Sequence, residues 1–464
     1  MSITREHPSV ILLKHPIVLF LLILPIAAAL VPGWSSALPF KTAWQAHAAA
    51  VAVMTYVAVI RREERIFFCN DTMRIKRGIV TREEVHLPAD AVTCVTVEKS
   101  PLYAIFGARK VTISDGSLGG IRSMVLPKKE GRRVCTMLTG ECNAHFEERF
   151  TFCEGKNIVM SAISSNATSG ILFFIPVWRG ISRIIGENLS ENIYEKLGRQ
   201  WVRLMPLFDP IAAIVAGVVL LGWIINFIVT TAQNFKFCLF GADKCIVVCS
   251  GFLTKRRKCI KKDKISALEH KKTFFSMLFG LESVSAFVQG SRGKRGGKFN
   301  LVPAATSKYA QNAVNKVFGK HGYCAATIVP KRQHRRRYAA VPLTFLTVGL
   351  LLFIKSGAGK TLLSQLILFC LLITVWWLLV KISASRHAHF KVFCDSVSIC
   401  GSVGFSICRQ HILREKIEKV RISQTPFQRT AGLCTLYVRS KGAKRGITCA
   451  HISYEKAVAA CRRL

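Results

Sequence analysis

Acidic residues are scarce in this chain. Its 464 residues include 26 Asp plus Glu against 66 Lys plus Arg, a formal net charge of +40. Too few carboxylates remain for a convincing acid and base pair on one face, and no H-E-x-x-H or G-x-S-x-G run occurs, so no enzyme is expected. A C-x-x-C pair is also lacking. The 17 cysteines are scattered from Cys69 to Cys461, unlike a disulfide scaffold or a zinc ribbon. Cys245 and Cys249 fit alternating positions of a strand, and the cysteines are expected as reduced, small apolar residues in a reducing compartment. No metal or cofactor is called for. Aromatics do not interleave the basic residues as single-strand binding requires, so nucleic acid is not an expected partner. Half the chain is hydrophobic and mean hydropathy is +0.32 despite the charge, which excludes disorder and requires the two properties to be segregated.

The apolar residues gather in runs. A helix needs roughly 20 of them to cross a bilayer, and five stretches come close: Ile17 to Trp34, Thr42 to Ile60, Ile211 to Ala232, Ala339 to Ile354 and Leu362 to Val380. Arg61, Arg62 and Arg65 follow the second, Lys331 to Arg337 precede the fourth, and Lys381 and Arg386 follow the fifth, so the polar segments are expected on the cytoplasmic side. Consistent sidedness needs a sixth crossing, for which Ile158 to Trp178 is the candidate, either spanning or re-entrant. Behind it, Ile181, Ile185, Leu189, Ile193, Leu197 and Trp201 recur every fourth residue as an amphipathic helix. Ser356 to Thr361 ends like a phosphate loop but lacks its first glycine, and reads as a hairpin turn. His47 reads as an interfacial or packed residue.

Three polar segments share one pattern. Gly78, Gly251 and Gly404 occupy one equivalent position, and Gly107, Gly280 and Gly432 another, at spacings of 29, 29 and 28 residues. Gly116, Gly290 and Gly442 follow in turn. Short alternating runs between them predict antiparallel strands, with glycine at turns needing positive φ. Each segment closes on a helical pattern: Val134, Met137 and Leu138; Ala310, Val314, Val317 and Phe318 after Pro303; Tyr454, Val458 and Cys461. A small antiparallel barrel, closed to hide its edges and capped by that helix, is expected.

The runs GIVTREEVHLPADAV with AIFG, GFLTKRRKCIKKDKI with MLFG, and GFSICRQHILREKI with RTAG resemble the bacterial PH-like, membrane-flanked domain family in a three-copy form. The third copy departs from it, with Thr430-Ala431 where the others have an aromatic before Gly. The resemblance implies, for each copy, a half-barrel of about seven strands and a capping helix, and no settled activity. The expected fold is thus an α+β membrane protein with about six transmembrane helices and three PH-like half-barrels. Its segments are a hairpin (1–61), PH-like domain 1 (62–150), a membrane segment (151–235), PH-like domain 2 (236–322), a basic linker with hairpin (323–388) and PH-like domain 3 (389–464).

Basic clusters are the informative chemistry. Lys255, Arg256, Arg257, Lys258, Lys261, Lys262 and Lys264 surround the first hairpin of the second copy, and Arg292, Lys294, Arg295 and Lys298 occupy a glycine-rich loop. Each Lys or Arg near an anionic leaflet contributes about 1 kcal/mol. The expected partners are anionic membrane lipids, with a protein partner or self-association open, and the expected role is a noncatalytic scaffold or sensor at the inner membrane, in envelope maintenance or resistance. The alternative is a transporter or export accessory using Ser164, Ser165, Asn166 and Thr168, since polar groups at mid-bilayer depth mark transport paths.

Overall fold

The computed structural model describes residues 2–5, 7, 45, 48, 49, 51–53, 56, 65–69, 72–77, 83–115, 121–139, 148–164, 210–242, 244–289, 297–318, 324–356 and 362–464. One plan is drawn three times. The first copy comprises β1 (Ser2–Arg5), β2 (Arg65–Cys69), β3 (Thr72–Arg77), β4 (Glu83–Pro88), a 3-10 turn at Ala89–Ala91, β5 (Val92–Lys99), helix α1 (Pro101–Ile105), β6 (Ala108–Asp115), β7 (Ile121–Pro127) and the cap α2 (Lys128–Thr139). The second begins with β8 (Glu148–Thr151), inserts α3 (Glu154–Ser164) and α4 (Pro210–Asn234), and continues with β9 (Cys238–Gly241), β10 (Cys245–Ser250), β11 (Lys255–Lys261), a 3-10 turn at Lys262–Lys264, β12 (Ile265–Thr273), α5 (Phe274–Leu278), β13 (Leu281–Val288), β14 (Lys298–Thr306) and the cap α6 (Ser307–Phe318). The third has β15 (Cys324–Ile328), α7 (Arg337–Lys355), α8 (Leu362–His387), β16 (His389–Phe393), β17 (Ser396–Val403), β18 (Ser406–Leu413), a 3-10 turn at Arg414–Lys416, β19 (Ile417–Ser423), α9 (Pro426–Thr430), β20 (Leu433–Ser440), β21 (Ile447–Ser453) and the cap α10 (Tyr454–Cys461).

Local chemistry explains the recurrence. The one-turn helix follows a hydroxyl N-cap each time: Ser100 Oγ accepts from Tyr103 N at 3.3 Å, Thr273 Oγ1 from Ser276 N at 3.2 Å, and Thr425 forms a capping box with Gln428. The turn is then reversed by Gly107, Gly280 or Gly432, with φ of 65°, 62° and 60°. An added Cβ would meet nothing within 4 Å at any of the three, so the backbone conformation alone calls for glycine.

Strand pairing departs from the closed barrel. Each copy's first four strands form one sheet and its last three another, but the sheets fuse between copies. One seven-stranded sheet runs β7-β6-β5-β11-β10-β9-β8, and a second runs β14-β13-β12-β18-β17-β16-β15. The edge hydrogen bonds that closure would have satisfied go instead to a strand of the next copy. Two compact units result: residues 1–150, 238–265 and 288–297 form one, and residues 151–237, 266–287 and 298–464 the other. The first joint lies in the first unit and the second joint in the second.

Each unit has its own core. In the first, Met73, Ile75 and Leu87 pack with Val95, Val111, Ile113 and Leu126, beneath Val134 and Leu138 of α2. Cys135, Cys245 and Cys259 are buried in the same cluster as small apolar residues. In the second, Phe390, Val397, Ile399 and Ile412 pack with Leu436, Val438, Ile447 and Ile452, closed by Ala457 and Ala460 of α10. The cap helices stand where expected, with shifts of register. Met137 and Tyr454 are exposed, and the buried residues of α10 are Ala457 and Ala460. Pro303 lies within β14 and does not open α6; β14 is an edge strand, where a missing N–H is tolerated.

The expectation of about six transmembrane helices is overturned. The fold is β-rich, with repeating sheets, and among the described residues one helical stretch, Arg332–Lys355, is long and apolar enough to cross a membrane, with hydropathy 1.8 and 6% burial. Hydropathy does not separate apolar surface facing lipid from apolar surface packed on protein. Ile211 to Ala232 falls in α4, whose later residues are mostly half-buried and which packs on α3, the Trp223 indole donating to the Ala162 carbonyl at 3.2 Å. Leu362 to Val380 opens α8, which exposes Leu372 and Ile373 but whose end, Val380, Ala384 and Ser385, is buried, the helix packing on β17 and β18. Of Ile158 to Trp178 only the start is described, as part of α3; most of Ile17 to Ile60, and the amphipathic run from Ile181 to Trp201, lie outside the described residues.

Candidate functional site

The basic run of the second copy is not the free rim of a hairpin. Lys255 to Lys261 form β11, an interior strand held on both sides by β10 and β5. Alternation therefore splits its charges between two faces. Lys255 is exposed opposite Lys99, and Arg256 is ion-paired to Glu98 at 3.0 Å. Lys258 is half-buried opposite Thr96, and the Lys261 ammonium donates to the Ala89 carbonyl at 2.8 Å, which ties the joint. Lys262 is half-buried in the 3-10 turn, where Lys264 pairs with Asp263 at 3.4 Å. Arg109 of β6 lies within electrostatic reach of Arg257 of β11 and of Arg132 of α2. Burial and these two neighbouring guanidinium charges lower the Arg109 pKa. The sequence reading missed Arg109 and Arg132 because they belong to another copy. Arg292, Lys294 and Arg295 lie outside the described residues, as do Ser165, Asn166 and Thr168.

A polar cavity of about 390 Å³ lies in the second unit, between α3, the end of α4, the sheet β12 to β14 and the turn into β18. Asn157 and Ser161 enter it from one face of α3, four residues apart. They are 4% and 1% exposed, yet among the described residues neither the amide of Asn157 nor the hydroxyl of Ser161 has a hydrogen-bond partner. Buried amides and hydroxyls are normally paired, so such groups point to something they bind. Opposite them stand Lys271, Ser283, Ser285, Lys298 and Asn300, with Trp376 and Phe405 at the side. Ser285 Oγ donates to Asn300 Oδ1 at 3.0 Å, while Lys298 is held by Glu269, whose other oxygen accepts from Gln410 Nε2 at 2.9 Å.

The neighbouring strand positions carry a buried network. Glu282 accepts from His270 Nδ1 at 3.2 Å, Lys272 Nζ at 3.1 Å and Ser307 Oγ at 3.0 Å. Burial pushes its carboxyl up, but the hydrogen bonds and charges of His270 and Lys272 outweigh burial and hold it at about 2. Among the described residues no group of three or more His, Cys, Asp or Glu side chains could hold a metal ion.

The family model for the bacterial PH domain matches the chain three times, over residues 17–141, 189–316 and 341–464. The chain belongs to the bacterial PH domain family. Neither a curated protein nor a solved structure matches it. Each bacterial PH domain match takes in one copy's last six strands and cap, leaving outside it the first strand of the copy, β1, β8 or β15. The cavity thus lies against the sheet of the second PH domain, below helices inserted between that copy's first and second strands, with Trp376, Phe405 and Ser406 of the third completing its wall.

Proposed function

We propose that this chain is a noncatalytic, membrane-seated array of bacterial PH domains that holds an anionic, hydroxyl-bearing headgroup in the cavity below α3. One observation carries the reading: two buried polar side chains with no hydrogen-bond partner among the described residues, Asn157 and Ser161, line the same cavity of about 390 Å³ as the lysines Lys271 and Lys298. The amide and hydroxyl suit sugar or glycerol hydroxyls, and a lysine supplies a point charge for phosphate. Membrane seating is supported by α7 and α8, which pack together and expose Phe345, Leu350, Leu351, Ile354, Leu372 and Ile373. So large an apolar surface needs lipid or a partner to cover it. Lys331, Arg332, Arg335 and Arg336 precede the pair and Lys381 and Arg386 follow it, which favours a cytoplasmic location for both ends. The cluster of Arg109, Arg132 and Arg257 offers a second, diffuse contact to an anionic surface.

The test is retention of lipid by the full chain in nanodiscs made with neutral lipid doped with anionic phospholipid. Native mass spectrometry should find anionic phospholipid retained by the wild type. Retention should be lost in Asn157→Leu and in Lys271→Glu, and kept in Arg256→Ala. Inorganic phosphate at millimolar levels should not compete if the lipid headgroup is the ligand. Equal retention by wild type and both cavity variants refutes the proposal.

A further inference from the structure

The joint between copies is built twice, and both times in the same register. Ile260 of β11 stands opposite Cys94 of β5, and Ile412 of β18 opposite Ala267 of β12. In each case the residue one before the last of a copy's fourth strand meets the third residue after the preceding copy's 3-10 turn. The joint is heterologous, because it pairs two different strands, β4-type against β5-type. A heterologous contact of this kind uses one β4-type and one β5-type strand, and among the described residues one strand of each type is left over. Those strands are β4, which closes the sheet β1-β2-β3-β4, and β19, which closes the sheet β19-β20-β21. Among the described residues neither strand has a second ladder partner.

We propose that β19 of one molecule pairs with β4 of another, repeating between chains the joint that links copies within a chain, so that the protein assembles head to tail. The shared register sets Leu87 opposite Lys419, Val85 opposite Arg421 and Glu83 opposite Ser423. Val85 and Arg421 then occupy the places of Lys258 with Thr96 and of Gln410 with Glu269, the latter pair hydrogen-bonded across its joint at 2.9 Å. In this register Glu83 and Arg421 share a face as diagonal neighbours, which favours this pairing. The β4 strand carries Glu83 and Glu84, the latter paired to Lys76 at 3.2 Å, while β19 carries exposed Lys419 and Arg421 beside Glu418, which is paired to Arg439. Pairing β4 with itself would bring the two glutamate-bearing ends of its strands into one contact, a situation natural edge strands avoid. Polar residues stand where the internal joints are apolar, His86 for Cys259 and Lys419 for Cys94, so the contact between chains is reversible and weakened by salt.

The test uses the full chain in detergent, followed by mass photometry over a range of concentration and salt. The wild type should form dimers and longer species that grow with concentration and recede with salt. Lys419→Glu with Arg421→Glu, or Glu83→Lys with Glu84→Lys, should weaken association about tenfold. A chain carrying both swaps should regain it. Lys419 and Arg421 are exposed; Glu84 is exposed but pairs with Lys76 at 3.2 Å, and the regain in the double swap separates loss of that pair from loss of the contact between chains. In Val85→Cys with Arg421→Cys, the crosslinked peptides should join residue 85 of one chain to residue 421 of another. A wild type monomeric throughout, a swap that leaves association unchanged, a crosslink within one chain, or symmetric crosslinks (85 to 85 or 421 to 421) would each overturn the proposal.

Discussion

Replacing Glu282 by Gln removes one charge from a network whose balance follows from its partners. Glu282 is 4% exposed, and His270 and Lys272 hold its carboxyl at about 2 against a reference of 4.5. At about 1.4 kcal/mol per unit, that displacement corresponds to roughly 3 kcal/mol of stabilisation at neutral pH. Its sign is fixed by the direction. A carboxyl whose folded pKa is depressed contributes fully above the unfolded value and loses that contribution as pH falls from about 4.5 to about 2. Glu282→Gln should therefore lower the stability of the second unit by about 3 kcal/mol near pH 7. The gap between variant and wild type should close as the wild type is protonated. Urea unfolding of the full chain in detergent, read by hydrogen exchange in peptides from β12 to β14, measures both quantities. A gap below about 0.5 kcal/mol at neutral pH, or one that widens on acidification, refutes the assignment of the network.

Two glycines should respond differently to alanine. At Gly401 a Cβ would lie 1.9 Å from the Thr448 carbonyl oxygen, so β17 and β21 must part, and Gly401→Ala should cost about 3 kcal/mol in thermal or urea unfolding. At Gly280 space is open and only the positive φ opposes a side chain, so Gly280→Ala should cost about 1 kcal/mol and Gly280→Asn less. Thiol chemistry should follow burial. Burial pushes Cys94 and Cys408 up to about 12, so at about pH 8 maleimide should label exposed Cys153 and Cys394 first and reach Cys94 and Cys408 only on unfolding, as followed by peptide mass mapping. Arg256→Ala removes a partly exposed ion pair and should change stability by less than about 1 kcal/mol, checked by the same urea unfolding.

What was legible in the sequence was what each copy decides locally. Gly107, Gly280 and Gly432 announce their turns because glycine adopts that φ at the least cost, and Ala310, Val314 and Val317 announce a buried helix face by spacing alone. Pairing between copies left no such mark. The run KRRKCIK reads as a charged hairpin rim, yet β11 is interior, because a strand's alternation records which faces it has and not which strand takes its hydrogen bonds. The first strands β1, β8 and β15 are short and stand apart from the rest of their copies, so the repeat concealed them. The cavity was equally hidden: Asn157 and Ser161 precede or open a run read as membrane, and they acquire meaning only against Lys271 and Lys298, more than a hundred residues away. One physical cause underlies these misses. A copy that lends its fourth strand to its predecessor and its fifth to its successor cannot complete its sheets alone, so pairing, charge placement and edge chemistry are properties of neighbouring copies. The polar β4 and β19 are the strands of those two types that, among the described residues, have no such partner, and their polarity fits the exchange of that partner for water or a second chain.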